Sequence, residues 1–172
     1  MSATEPGRAK RPRTRLAGPY GHPFHPILVT VPIGAWVSSL VLDIGSRVQD
    51  DGDALAEGSL WLIVIGLVGA LAAAVFGLID LSSIRPRTRA FRTGITHLAL
   101  NTVVVVLYAV NAGLRLGDDD GPVPAGQLVL SLVALAVLGV SGWLGGLLAY
   151  HYGVRVADEQ TQAEGFATRG GS

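Results

Sequence analysis

Cysteine is absent from the 172-residue chain. That excludes protein-held iron–sulfur clusters, thiolate metal sites, disulfides and thiol catalysis. Charge is scarce as well: 15% of residues are charged, against 49% that are apolar. The chain also has no phosphate-binding glycine loop, no nucleophile paired with a base, and no second carboxylate beside its candidate polar cluster. Those gaps leave little to support an enzyme, and no feature points to a nucleic-acid partner.

The apolar content is gathered into four runs, near residues 26–47, 59–81, 94–114 and 127–150, separated by short charged loops. A hydrocarbon slab about 30 Å thick needs roughly 20 helical residues, and each run is long enough. The sequence therefore predicts an all-α, integral membrane four-helix bundle with the lipid bilayer as its immediate partner. It also predicts three segments: a disordered basic tail at 1–19, a four-span domain at 20–156, and a disordered polar tail at 157–172.

Zero net charge conceals an asymmetry. Arg8, Lys10, Arg11, Arg13 and Arg15 crowd the N-terminal tail, Arg85, Arg87, Arg89 and Arg92 the second loop, and Arg155 and Arg169 the C-terminal tail. The first loop is dominated by Asp50, Asp51, Asp53 and Glu57, and the third by Asp118, Asp119 and Asp120. Basic residues near span ends stay inside, so both termini and the second loop are expected on the cytoplasmic side of a cell (inner) membrane. The basic tail and Ala54-Leu55-Ala56 resemble parts of a signal peptide. The long apolar run and the acidic residues between them favour an uncleaved first span.

Each span carries its own pattern. The first opens on Gly21–Pro26, GHPFHP, and has Pro32 one turn inside, which predicts a kink. At about 100° per residue, His25, Pro32, Trp36, Ser39, Asp43 and Arg47 share a face. On the second span Gly66, Gly69, Ala73 and Gly77 form a small-residue face that permits close helix approach and places this helix at the packed centre. Asp80 ends that face. A carboxylate there is more often the partner of a helix end or a loop arginine than a ligand. The third span aligns Thr93, His97, Asn101, Tyr108, Asn111 and Arg115 within about 40° of one line. Such a stripe faces protein, a cofactor or water rather than lipid, and interhelical hydrogen bonding is the simplest account of it. Asp43 and Arg115 both reach the outer end, which predicts a structural ion pair. The fourth span repeats small residues at Ser131, Gly142, Gly146, Ala149 and Gly153. His151 lies on its opposite side, as an interfacial residue beside the aromatic-belt candidates Tyr150 and Tyr152.

Threading brings His22, His25, Asp80 and His97 to one leaflet, with Asn101 a turn deeper. Imidazoles and a carboxylate at that depth suit a divalent metal or haem iron, or a proton relay, since histidine titrates near neutrality. The candidate metal set is His22, His25, Asp80 and His97. The candidate haem b set is His22, His25, His97 and Asn101, with His25 and His97 as the axial pair. HPFHP is not a common metal spacing, because in an extended backbone its imidazoles sit roughly 9 Å apart. A satisfied polar network that fixes span packing, with no cofactor, accounts for the same residues.

GHPFHPILVTVPIG in the first span, GLID ending the second, H-x-x-x-N in the third and GWLGGLLAYHYGVRV at the end resemble a bacterial family of predicted membrane proteins, domain of unknown function 2231. The resemblance covers about residues 18–156. It implies a four-span membrane domain without an established activity, whose relatives occur beside or fused to Rieske-type iron–sulfur domains. A redox-associated subunit holding haem or a metal follows as one expectation, with a Rieske-type protein or a second copy of the chain as partner. A cofactor-free structural or interaction protein and a small transporter or proton-relay element are the others.

Overall fold

The computed structural model describes residues 5–116 and 121–167. Four helices are long and apolar enough to cross a membrane: Phe24–Val48, Asp53–Leu81, Arg89–Arg115 and Ala125–His151. Among the described residues there is no strand. The acidic run Asp118–Asp120 and Arg169 lie outside the described residues.

The first span is two helices, α2 (Phe24–Leu28) and α3 (Thr30–Val48), preceded by the short α1 (Glu5–Lys10) and a 3₁₀ turn at Arg15–Ala17. The break at Val29 follows from Pro32, which cannot donate to Leu28 four residues back. Thr30 Oγ1 donates to the Ile27 carbonyl at 2.7 Å and so satisfies one group freed near the break. The second span is α4 (Asp53–Leu81) and the third α5 (Arg89–Arg115). Helix α5 is capped by Thr88, whose Oγ1 accepts from Phe91 N at 3.1 Å. The fourth, α6 (Ala125–Gly146), widens into a π-turn at Leu147–His151, and α7 (Glu159–Glu164) follows. Helices α4 and α5 extend a turn or more beyond the apolar runs, because polar first turns such as Asp53–Gly58 and Arg89–Thr93 need not enter the hydrocarbon.

The spans close into a ring. The first packs along the second, the third along the fourth, the second touches the third and the fourth touches the first. The second span is therefore a member of this ring, not its centre. Its glycines seat side chains of the first span. A Cβ on Gly66 would lie 2.2 Å from the Trp36 indole nitrogen, one on Gly69 2.8 Å from Val31, and one on Gly77 2.9 Å from His25.

The axis of the ring is filled across its diagonal by the first and third spans. Trp36 stacks on Tyr108 with ring centroids 4.3 Å apart and planes 10° from parallel. Ile63, Val104, Ala112 and Ala134 complete this buried core. The inward face of the fourth span is Gln127, Ser131, Ala134 and Ser141, with Gly145 against His97. Gly142 and Gly146 meet nothing, so that helix is rotated away from the small-residue face expected of it. Exposed Trp61 near one end of the ring, and Trp143 and Tyr150 near the other, sit where aromatic belts meet the headgroups.

Candidate functional site

Two polar clusters lie on the diagonal, one on each side of the Trp36–Tyr108 stack. At the end where both chain termini lie, His25 and His97 face each other edge to face, with ring centroids 6.3 Å apart. His25 Nδ1 lies 2.8 Å from the Ala73 carbonyl, and His97 Nδ1 lies 2.8 Å from the Ser141 carbonyl. A carbonyl only accepts, so both rings carry their proton on Nδ1 and present Nε2 as a lone pair. That tautomer, with the far nitrogen anchored on backbone, is the one found in metal-binding histidines. Gly77 and Gly145 back the two rings, where a Cβ would come within 2.9 Å and 3.2 Å of the imidazoles.

Asn101 finishes this cluster. Its Nδ2 donates to Ser141 Oγ at 2.7 Å and to the His97 carbonyl at 2.9 Å, and lies 3.1 Å from His97 Nε2. His25 Nε2 has no hydrogen-bond partner among the described residues.

The other residues named as candidates lie apart. His22 is exposed. Asp80 faces Arg155, with Oδ1 2.9 Å from Nε, although the two are not aligned as a hydrogen bond. The same guanidinium donates to the carbonyls of Ala17 at 2.9 Å and Gly18 at 3.3 Å. Of His22, His25, Asp80 and His97, the structure brings His25 and His97 together, with Asn101 beside them, while Asp80 is turned toward a tail arginine. Among the described residues no group of three His, Asp or Glu is placed to hold a metal ion. His151 is exposed and packs edge-on against Tyr152, away from the pair.

A family model described as "Predicted membrane protein (DUF2231)" matches residues 21–158. The chain belongs to this family. The match spans all four membrane helices and both polar clusters of this DUF2231 member, and its matched segment opens at the GHPFHP threshold. No curated protein and no solved structure matches the chain.

At the opposite end, Asp43 and Arg115 form a buried ion pair in the DUF2231 member. Arg115 Nη1 and Nη2 donate to the two carboxylate oxygens, each at 2.8 Å. Ser59 Oγ donates to the same carboxylate, and Ser131 Oγ does so at 3.3 Å. Arg115 Nε donates to Asn111 Oδ1 at 2.8 Å, and Asn111 Nδ2 donates to the Gln127 carbonyl at 3.0 Å. All four spans contribute to this knot. Ser59, Ser141 and Gly145 were not among the residues that periodicity singled out, and Ser131 and Ala73 were read only as small packing residues. For the serines, a hydroxyl inside an apolar run was the only signal, and it does not say which way the helix is turned.

Proposed function

We propose that this DUF2231 member is a membrane-embedded, non-catalytic redox subunit that holds haem iron between His25 and His97. The single supporting observation is the imidazole pair: two rings from opposite spans, both Nδ1 atoms tied to backbone, with the His25 Nε2 lone pair left to bind. His25 and His97, whose ring centroids face each other 6.3 Å apart, are the residues that would hold the iron. The donor set fits haem iron. It does not fit a four-ligand divalent site, since His22 and Asp80 lie elsewhere.

Haem would supply one-electron exchange. The chain's own residues fix the two ring orientations through Ala73 and Ser141, and Gly77 and Gly145 leave space behind the rings. Electron exchange needs a partner carrying its own redox centre, and a Rieske-type iron–sulfur protein is the class proposed. A second copy of this chain is the other proposed partner.

A cofactor-free structural protein is the second reading. It is favoured by Asn101, which already occupies His97 Nε2. Spectroscopy separates the two. The protein is expressed with haem supplied, purified in mild detergent, and its absorption spectrum and metal content are measured. The expected result is a Soret band that is lost in His25→Ala and His97→Ala and kept in His22→Ala and His151→Ala. A colourless, metal-free, monodisperse protein overturns the haem reading and leaves the structural one.

A further inference from the structure

We infer that Asp80 and Arg155 enclose a binding site for a water molecule, where the second span and the two terminal segments meet. The two side chains are 11% and 5% exposed, so both charges have left bulk solvent. Arg155 Nη2 donates to the carbonyls of Ala17 and Gly18, and the Arg155 backbone N–H donates to the Ala9 carbonyl. Arg155 Nε lies 2.9 Å from Asp80 Oδ1, out of line for a hydrogen bond. Asp80 Oδ1, Arg155 Nε and Arg155 Nη1 are therefore buried without a hydrogen-bond partner.

The other buried pair shows how this chain completes such a contact from its own groups. Asp43 and Arg115 meet through two aligned bonds, and Ser59, Ser131 and Asn111 take up what is left. Beside Asp80 no hydroxyl plays that part: Ser82 and Ser83 spend their protons on the Ile79 and Asp80 carbonyls, both at 2.6 Å. Nor can the guanidinium turn to align Nε with the carboxylate. Its plane is held by the Ala17 and Gly18 carbonyls, and its backbone by the left-handed φ of 61°. Buried polar atoms left without partners carry their full desolvation cost, and native structures satisfy nearly all of them.

The unsatisfied atoms decide the class of ligand. The guanidinium lacks an acceptor and the carboxylate lacks a donor. An anion would meet the Asp80 charge and a cation the Arg155 charge, so the ligand is neutral and both accepts and donates. Water is the smallest group that does so, and a buried water needs two to four polar partners. Arg155 Nη1 and Asp80 Oδ1 supply two, and the carbonyls beside the guanidinium have further lone pairs. A water in this place ties the second span to both terminal segments at once. Gly77, which seats His25, is three residues before Asp80 on α4, so the site belongs to the imidazole end of the ring.

The test uses the full wild-type chain in detergent, so no variant has to fold. X-ray radiolysis makes hydroxyl radicals from bound water as well as from bulk solvent, and mass spectrometry locates the oxidised side chains. Arg155 should be oxidised at a rate near that of exposed Arg87. Arg115, 6% exposed at the side chain in the completed pair, should lose labelling to background. A crystal structure that resolves ordered solvent should show one peak within hydrogen-bond distance of both Asp80 Oδ1 and Arg155 Nη1. Labelling of Arg155 as low as that of Arg115 overturns the inference. So does a map in which Nε and Oδ1 form an aligned direct bond, or in which an ion or a larger molecule fills the junction.

Discussion

At the scale of single residues, Asp43 is the one whose removal has the clearest expected cost. Its carboxylate is fully buried and Arg115 is 6% exposed at the side chain, so neither charge has water to fall back on. Removing one partner of a buried pair costs about 3–5 kcal/mol, because the other charge is left unpaired. Asp43→Asn should lower the melting temperature in detergent by roughly 10 °C, while Asp50→Asn, on an exposed loop residue, should leave it unchanged. Replacing both partners, Asp43→Leu with Arg115→Met, should recover much of the loss, since an apolar pair needs no partners. A double variant as unstable as Asp43→Asn would mean that the hydrogen bonds to Ser59 and Ser131, rather than the charges, hold the knot. Asn111 and Arg115 were readable in advance as neighbours four apart on a polar stripe. Ser59 and Ser131 were not, because a serine in an apolar run fits a packing face or a polar face equally well. Only the rotation of each helix, set by its neighbours, decides between the two.

At the scale of elements, the segments outside the spans hold one another. Arg155 N donates to the Ala9 carbonyl at 2.9 Å. Lys10 Nζ meets Glu159 Oε1 at 2.6 Å, and Asp158 N donates to Tyr20 Oη at 2.7 Å. Composition gave no hint of this, since helices as short as α1 and α7 do not stand on propensity alone and polar, basic sequence reads as disorder. Arg155 also adopts φ 61°, a left-handed backbone that a non-glycine residue keeps only when its surroundings fix it. Here the surroundings are Asp80 and the carbonyls of Ala17 and Gly18. The Thr161 amide and hydroxyl lower the Asp158 carboxyl below its ordinary 3.8. The hydrogen bond from Lys10 lowers the Glu159 carboxyl below 4.5. The Asp158 shift comes mainly from its own segment and reports the α7 cap, whereas the Glu159 shift means that the contact with Lys10 is favoured in full above the ordinary value and weakens as pH falls through the lowered one. Spin labels on Thr14→Cys and Gln160→Cys should therefore give a narrow distance distribution at neutral pH that broadens below about pH 4. A distribution equally narrow at pH 3 would assign the docking to the Arg155 contacts and the Asp158 N–Tyr20 hydrogen bond.

At the scale of the whole molecule, one diagonal organises the bundle: an imidazole pair near the termini, a stacked Trp36–Tyr108 in the middle, and the Asp43–Arg115 knot at the far end. The four spans were legible because a bilayer demands roughly 20 apolar residues per helix, and that demand leaves its mark on composition alone. The diagonal was half legible. Its members on the first and third spans recur at helical spacing, but that they meet each other, rather than the second or fourth span, depends on how the ring closes. Orientation is the remaining whole-molecule quantity. Arg8, Lys10, Arg11, Arg13 and Arg15, the second loop's arginines and Arg155 all belong to the terminal end of the ring, while the first loop is acidic. Retention of basic flanks inside the cell predicts that this end faces the cytoplasm, which would put the imidazole pair at the inner leaflet. A chain without cysteine allows a clean measurement: Gln49→Cys should react with a membrane-impermeant maleimide in intact cells, and Thr14→Cys only after lysis. The reverse pattern would leave the diagonal standing but put the imidazoles at the outer leaflet, and any redox partner would have to dock from outside the cell.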